Sequence, residues 1–509
     1  MSKTNTNDRN AIIIDNKDNV IIAAYELKSG ETANYTCLDG HSSSLKIIED
    51  IPVFHKIALT DISKGQNIIK YGEYIGVAIK DIKAGQHVHT HNCESSDDQK
   101  NAGIVDASIT EELGDNKNDK ANRTFMGYKR SDGQVGIRNH VLILPTSICA
   151  SDVSERIAKA VPGCVSFHNQ NGCSQVHIDN ELTIKTIAGL ASNPNICSVL
   201  AVSLGCENCQ NDLVVEAIKK RTNKEVRSLV IQQVGGSIKA TDKGIEIAKE
   251  LASDAFKQRR EECGIDKIIL GTNCGGSDTS SGLGSNPLIG EVSDWFVDQG
   301  ATTVLCETPE IFGGEHILAR RSKNKEIGDK LIKVVKDYEN YVKMFGAEMR
   351  EGNPSPGNMA GGLTTLEEKS LGCIHKAGHR TLNNVYSYAS QLKANEGLVY
   401  MDTPGNDPSS VGGIIAGGCQ LVVFSTGLGT PTGNAIAPVL RITANPNTAK
   451  TMADNTDMDC SETIFGPRSM RELRDELIDK IIDVCNGQPT CTEKHNYIET
   501  ALPHICNYM

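Results

Sequence analysis

From residue 124 onward the chain repeats one pattern, a short apolar run that ends in a glycine-rich polar loop and is followed by a segment of helical spacing. The runs at 140–146, 198–204, 267–270, 302–306, 397–401 and 420–424 are near-continuously apolar rather than alternating. A strand of that kind is buried on both faces, which is the signature of a parallel sheet covered by helices. Helical spacing over 150–160 and again near 469–486 supplies such cover. The expected fold class is therefore multidomain α/β with largely parallel sheets. The Pro/Gly-rich string Asn353-Pro354-Ser355-Pro356-Gly357-Asn358 predicts a break, giving a central α/β domain at 124–350 and a C-terminal one at 351–509.

The first hundred residues read differently. Two β-rich runs, 11–14 and 19–24, and repeated turn signals predict a small all-β module over 11–93. The unit Asp61-Ile62-Ser63-Lys64-Gly65 recurs as Asp81-Ile82-Lys83-Ala84-Gly85. The second copy leads into Gln86-His87-Val88-His89-Thr90-His91-Asn92, and in an extended strand His87, His89 and His91 share one face. Imidazoles so placed suit iron, zinc, copper or nickel, with a polar edge strand as the plain alternative. Residues 94–123 are charge-rich and free of aromatic residues until the end, the composition of a linker that cannot bury a core.

A formal net charge of -12 and no basic cluster argue against nucleic acid and leave a small molecule as the expected partner. The polar start of the chain lacks a charged segment followed by an apolar core, and no apolar run has membrane-spanning length. Seventeen cysteines, an odd number without a compact framework, fit reduced thiols in a cytoplasmic enzyme.

In open parallel sheets ligands bind beyond the carboxyl ends of the strands. Cys173, Cys206 and Cys274 each open a polar loop after an apolar run, so three thiols are expected at one sheet edge, with Cys373 as a fourth. Thiolates there could ligate iron or an iron–sulfur cluster, or the cysteines could be small buried apolar groups. The loop Gly275-Gly276-Ser277-Asp278, its continuation to Asn286, and the loop containing Thr430 offer backbone N–H groups to an anion. Neither loop is a Walker or dinucleotide signature. His168, Glu207, Asp278, Glu307, Glu310, Lys369, Lys376 and Asp407 are among the titratable candidates.

Several ordered stretches then identify the chain as similar to the altronate/galactarate dehydratase family. They are His55-Lys56-Ile57-Ala58-Leu59-Thr60-Asp61-Ile62, Lys70-Tyr71-Gly72, the histidine strand, Gly127-Tyr128-Lys129-Arg130, Gly136-Ile137-Arg138-Asn139, Gly172-Cys173-Ser174-Gln175, Gly205-Cys206-Glu207-Asn208, Cys274-Gly275-Gly276-Ser277-Asp278 and Glu367-Glu368-Lys369-Ser370-Leu371-Gly372-Cys373. The resemblance implies an N-terminal SAF (β-clip) module, two α/β domains and a hydro-lyase that removes water from an aldonate or aldarate to give a 2-keto-3-deoxy acid. It implies a divalent metal, ferrous iron ahead of manganese and of an iron–sulfur cluster, and a homo-oligomer such as a dimer. On this reading His87, His89, His91 and Asp15 hold metal. His55, Lys56, His168, Asp278 and Lys369 serve as acids and bases. Arg138, Asn139, Gln175, Glu207, Asn208, Gly275, Gly276, Ser277, Asn286 and Thr430 bind substrate. Asp15 stands where many relatives carry histidine, and Phe54 where they carry glycine. The segment 401–408 is closer to the branch containing sulfolactate sulfo-lyase, which makes sulfite elimination the alternative reaction. A non-catalytic binder of an acidic ligand is the alternative from another class.

Overall fold

The computed structural model describes residues 9–95 and 123–509, so the expected linker lies almost wholly outside the described residues. The N-terminal module is all β. Ala11–Ile12, Val20–Ala23, Lys56–Ala58 and His87–Val88 form one antiparallel sheet in that order, beside the hairpin Thr32–Thr36/Ser42–Lys46 and the sheet Asn67–Lys70, Glu73–Ala78, Cys93–Glu94. The two copies of the repeated pentad pair with each other: Ile62 and Ile82 exchange N–H···O bonds of 2.8 Å each way. Ile62, Ile68, Ile75, Ile82 and Val88 then fill one small core, and Leu371 from the C-terminal unit packs into it.

Two parallel sheets follow. The first runs Cys164–Val165, His140–Pro145, Ile196–Ser203, Glu225–Val230, with helices Ile148–Ala160 and Ser237–Lys257 packed together on one face. The second has seven strands in the order Leu382–Tyr386, Gly397–Met401, Thr302–Leu305, Ile269–Gly275, Leu421–Thr426, Val439–Thr443, Met458–Asp459. Helix Asn286–Asp298 covers one face of it, together with Met470–Cys485; Asp407–Gly417 covers the other.

This pairing corrects the expected division at residue 350. Ile269–Gly275 pairs with both Thr302–Leu305 and Leu421–Thr426, Leu270 lying opposite Leu421, so a cut at 350 would split a single sheet. Parallel neighbours need long crossovers, and the Pro/Gly-rich string at 353–358 lies within one of them rather than between domains. From Ile269–Gly275 the chain builds outward on one side, then returns to add Leu421–Thr426 on the other. The strand order therefore reverses between these two strands, and their carboxyl ends carry Cys274-Gly275-Gly276 and Thr426-Gly427.

The β module is seated on this sheet by ion pairs and by shape. Lys56 Nζ lies 3.0 and 2.8 Å from the two oxygens of Glu368 and donates to Gly362 O at 2.8 Å. Lys70 Nζ reaches the same carboxylate at 2.7 Å. All three side chains are fully buried. Working against burial, the two ammonium groups hold the Glu368 carboxyl far below the usual carboxylate range. Two cations share one anion, so burial prevails at Lys56 and draws its ammonium down. Beside this triad Tyr71, at φ 64°, inserts between Gly282 and Gly372, and a Cβ on Gly282 would stand 2.4 Å from its hydroxyl and 3.5 Å from Cζ. Among the described residues no helix is long and apolar enough to cross a membrane.

Gly282→Ala is expected to unseat the module and to lower unfolding free energy by about 1–3 kcal/mol, the usual range for overpacking. Tyr71→Phe, which removes the clashing oxygen, should restore most of that loss in the double variant. Urea titration of the four proteins forms the cycle, and additive losses would refute this account of the contact.

Candidate functional site

The seated module brings its histidines against the loops at the carboxyl ends of the seven-stranded sheet. Strand His87–Val88 is only two residues long and turns at once, so strand alternation does not carry as far as His91. His87 and His89 nevertheless stack, with ring centroids 5.3 Å apart and planes 13° from parallel. The third imidazole is His55, on the neighbouring strand's lead-in. His55 Nδ1 lies 2.9 Å from His87 Nε2, and its ring is 4.7 Å from that of His89. One nitrogen from each of His55, His87 and His89 falls within a 4.8 Å group. His91 is exposed, 5.2 Å from the His87 ring and outside that group. Asp15 instead caps a turn, accepting from Lys17 N at 2.8 Å beside Gly72.

Backbone conformation aims the trio. Phe54 adopts φ 68°, which costs on the order of 1–3 kcal/mol for a non-glycine residue. That turn places His55 Nε2 3.2 Å from Ala360 O. Gly362, at φ 98°, is where three segments meet: a Cβ there would stand 2.4 Å from Phe54 O and 2.7 Å from Thr279 Oγ1. Burial, then the neighbouring imidazoles, pushes His87 down to about 3. Burial and the Lys56 charge push His89 down to about 4, and burial lowers His55. Neutral imidazoles are the ligating form. His89 Nδ1 is buried with no hydrogen-bond partner. Three neutral imidazoles, one with an unsatisfied buried nitrogen, fit a divalent ion.

Asp278 lies at the same junction, packed against Gly361, next to Ala360. Its carboxylate accepts from Ser280 Oγ at 2.6 Å, Ser281 N at 3.0 Å and Asn445 Nδ2 at 2.8 Å, and burial raises it. Ser277 O receives Asn358 Nδ2 at 2.7 Å, and Gly276, at φ 58°, faces Thr430. Asn286 is buried, bridging Gly372 O and the Ser425 hydroxyl. The segment 360–362 links this loop to the histidines, with Ala360 O at His55 and Gly361 against Asp278.

A second cluster sits deeper, at the ends of Ile269–Gly275 and Thr302–Leu305. Lys376 Nζ is 2.8 Å from Cys274 Sγ, 3.1 Å from Cys373 Sγ and 3.0 Å from Glu307 Oε2. The two sulfurs are 3.9 Å apart, and all four residues are buried. Cys274, Cys373 and Glu307 could in principle ligate a metal, but the Lys376 ammonium lies where such a cation would sit. The hydrogen bond from Cys373, together with the Lys376 charge and against burial, draws Cys274 down to about 5. Glu307 adopts φ 75°. Lys369 joins Glu310 at 3.0 Å and Asn353 at 2.7 Å, while Asp407, behind Gly275, is raised to about 7 by burial, Cys274 and Glu310.

Other expected site residues are placed elsewhere. Cys173, Cys206, Gln175, Glu207 and Asn208 belong to the four-stranded sheet, so the thiols divide between two sheets and do not meet at one edge. Glu207 holds its own turn, accepting from Thr146 Oγ1, Leu204 N and Gly205 N, and Gln175 binds Gly172 N and Thr183. Arg138 spends its fork on Glu493 at 2.7 and 2.8 Å, and Asn139 donates to Ala255 O. His168 is half exposed beside Glu155. Lys56 is committed to the Glu368 triad. Glu368 stood within a stretch that carries the family resemblance but had no role assigned, and Asn445 had no distinguishing signal; their spatial partners mark both.

The structure thus places a histidine trio at the junction between the β module and the loops of the seven-stranded sheet. The comparisons give the chain's family. Residues 9–96 match the altronate/galactarate dehydratase SAF domain, 127–256 the D-galactarate dehydratase/altronate hydrolase second domain, and 265–507 the D-galactarate/altronate dehydratase C-terminal domain. The chain is 36% identical over 496 residues to altronate dehydratase of Escherichia coli, covering 95% of this chain and 97% of that one. It is 35% identical over 501 residues to altronate dehydratase of Bacillus subtilis, covering 96% and 98%. It is 33% identical over 384 residues to the (2R)-sulfolactate sulfo-lyase β subunit of Chromohalobacter salexigens, covering 75% and 98%. The chain belongs to the altronate/galactarate dehydratase family of hydro-lyases.

The depressed histidines carry a stability consequence. The unfolded chain takes up protons near 6.5 while folded His87 and His89 wait until about 3 and 4. Protons therefore favour the unfolded state, and the metal-free protein should lose stability as pH falls from 6.5 toward 4. Thermal melts across that range should show the slope, and His87→Asn should flatten it.

Proposed function

We propose that the protein dehydrates a sugar acid of the aldonate or aldarate class, altronate being the first candidate, to a 2-keto-3-deoxy acid. The observation that supports this most directly is the trio His55, His87 and His89 facing the loops at the strand-order reversal. These residues would hold a divalent ion, ferrous iron ahead of manganese, which when bound supplies positive charge against the substrate carboxylate and α-hydroxyl. The chain's own groups do the rest. The backbone N–H groups of Gly276 and Ser277 orient the acid beside the Thr430 side chain, the N–H groups of Leu428, Gly429 and Thr430 being taken by Gly276 O and Thr426 Oγ1. Asp278 is raised by burial against the hydrogen bonds of Ser280, Ser281 and Asn445 that brace it. It is the candidate to protonate the departing C3 hydroxyl. Lys369, fixed by Glu310 and Asn353, adds a cationic edge for the far end of the substrate. All seventeen cysteines are free thiols, which supports a cytoplasmic setting.

Joining the β module and the α/β part in one chain, over nearly the full length of two altronate dehydratases, favours loss of water over loss of sulfite. Metal analysis of anaerobically prepared protein, with keto-acid formation assayed on altronate, galactarate and sulfolactate, tests the reading. His89→Ala should lose bound metal and lower kcat/KM by at least ~100-fold, on the order of 3 kcal/mol of transition-state stabilisation. Turnover with altronate by a metal-free His89→Ala protein would overturn the site. Release of sulfite from sulfolactate, with no turnover of either sugar acid, would overturn the reaction.

A further inference from the structure

The buried sulfur cluster has no part in the dehydration just described, yet it is costly to maintain. Placing a lysine, a carboxyl and a thiolate out of water costs several kcal/mol per ion before their attraction repays it, and apolar side chains of similar volume would fill the space at no such cost. The strain at Glu307, φ 75°, is a further expense at the same place. The geometry is specific. The Lys376 ammonium touches both sulfurs, while the Glu307 carboxyl fixes that ammonium from behind and takes the Cys274 N–H at 3.2 Å. The exposed Cys206, by contrast, has a neutral Gln232 amide 3.6 Å away in place of an ammonium.

We propose that Cys274 is a nucleophilic thiolate whose reaction partner is a small hydroperoxide, and that Cys373, with its sulfur 3.9 Å away, is the resolving thiol. In the first step the Cys274 sulfur attacks one peroxide oxygen. The S–O bond forms, the O–O bond breaks, and the departing oxyanion, hydroxide for hydrogen peroxide, takes a proton from solvent and leaves as water, or as the alcohol from an organic hydroperoxide. In the second step the Cys373 sulfur displaces hydroxide from the sulfenic acid. The S–S bond forms, the S–O bond breaks, and the thiol proton leaves with the hydroxide as a second water. One peroxide is reduced and two thiols are oxidised. The sulfurs must close to about 2.05 Å, a movement of side chains on strand Ile269–Gly275 and helix Leu366–Ile374. The resulting bond would tie the helix that carries Glu368 and Lys369 to the strand that ends in the substrate loop.

The experiment treats full-length protein, held with a chelator to suppress iron-driven oxidation, with substoichiometric hydrogen peroxide, and maps every cysteine by peptide mass spectrometry. A Cys274–Cys373 disulfide should appear before the exposed Cys149, Cys206 or Cys506 is oxidised, and dithiothreitol should reverse it. In Cys373→Ser, Cys274 should be trapped by dimedone as the sulfenic acid. Lys376→Met should slow the oxidation by at least ~10-fold, since it removes the cation that keeps the thiol ionised. If Cys274 and Cys373 stay reduced while the exposed cysteines oxidise, the proposal falls. It also falls if Cys274 in Cys373→Ser takes up no dimedone, a result that does not depend on how well Lys376→Met folds.

Discussion

The Glu368 carboxylate, shared by Lys56 and Lys70, is the contact on which the rest of the site depends. It is a charge triad with no exposed member, and it joins two strands of the β module to one helix of the C-terminal unit. Surface ion pairs typically contribute about 0–1 kcal/mol, whereas removing one member of a buried pair leaves a stranded charge worth about 3–5 kcal/mol. The triad is therefore less a source of net stability than a constraint on geometry. A carboxylate that must satisfy two ammonium groups allows one docking position, and that position brings His55 to Ala360.

The two polar clusters solve the problem of buried charge in opposite ways. The histidines shed charge: burial holds them neutral, and a buried ring nitrogen on His89 is left without a partner. The sulfur cluster retains charge and neutralises it internally, with Lys376 at the centre. One arrangement is receptive to an added cation and the other already contains its own. The same sheet edge can thus carry two chemistries without the two sets of ligands competing for one ion.

Much of the architecture was legible in the sequence, because continuous apolar strands and β-type turn signals are local properties. The all-β module, the parallel sheets and the position of the loops at strand ends all follow from such patterns. What was not legible is what depends on pairing distant segments. The boundary at 350 failed because Leu270 pairs with Leu421 across a crossover no local pattern reports. His55 was grouped with the acids and bases, while the spacing of two favoured His91; a turn after Val88 reverses their roles around His87 and His89. Arg138 has the fork geometry of a ligand-binding residue, yet Glu493 occupies it. A side chain's chemistry shows what it is able to bind, and only the fold shows what it binds.

Lys56 and Glu368 are 312 residues apart in the chain. At translation rates of about 5–20 residues per second, the β module would emerge roughly 15 to 60 s before its anchor exists. During that interval its histidines lack Ala360 and the Asp278 loop as neighbours. On the proposed metal reading, an ion bound before docking would lack these neighbours, and the closed junction would set which ion is retained.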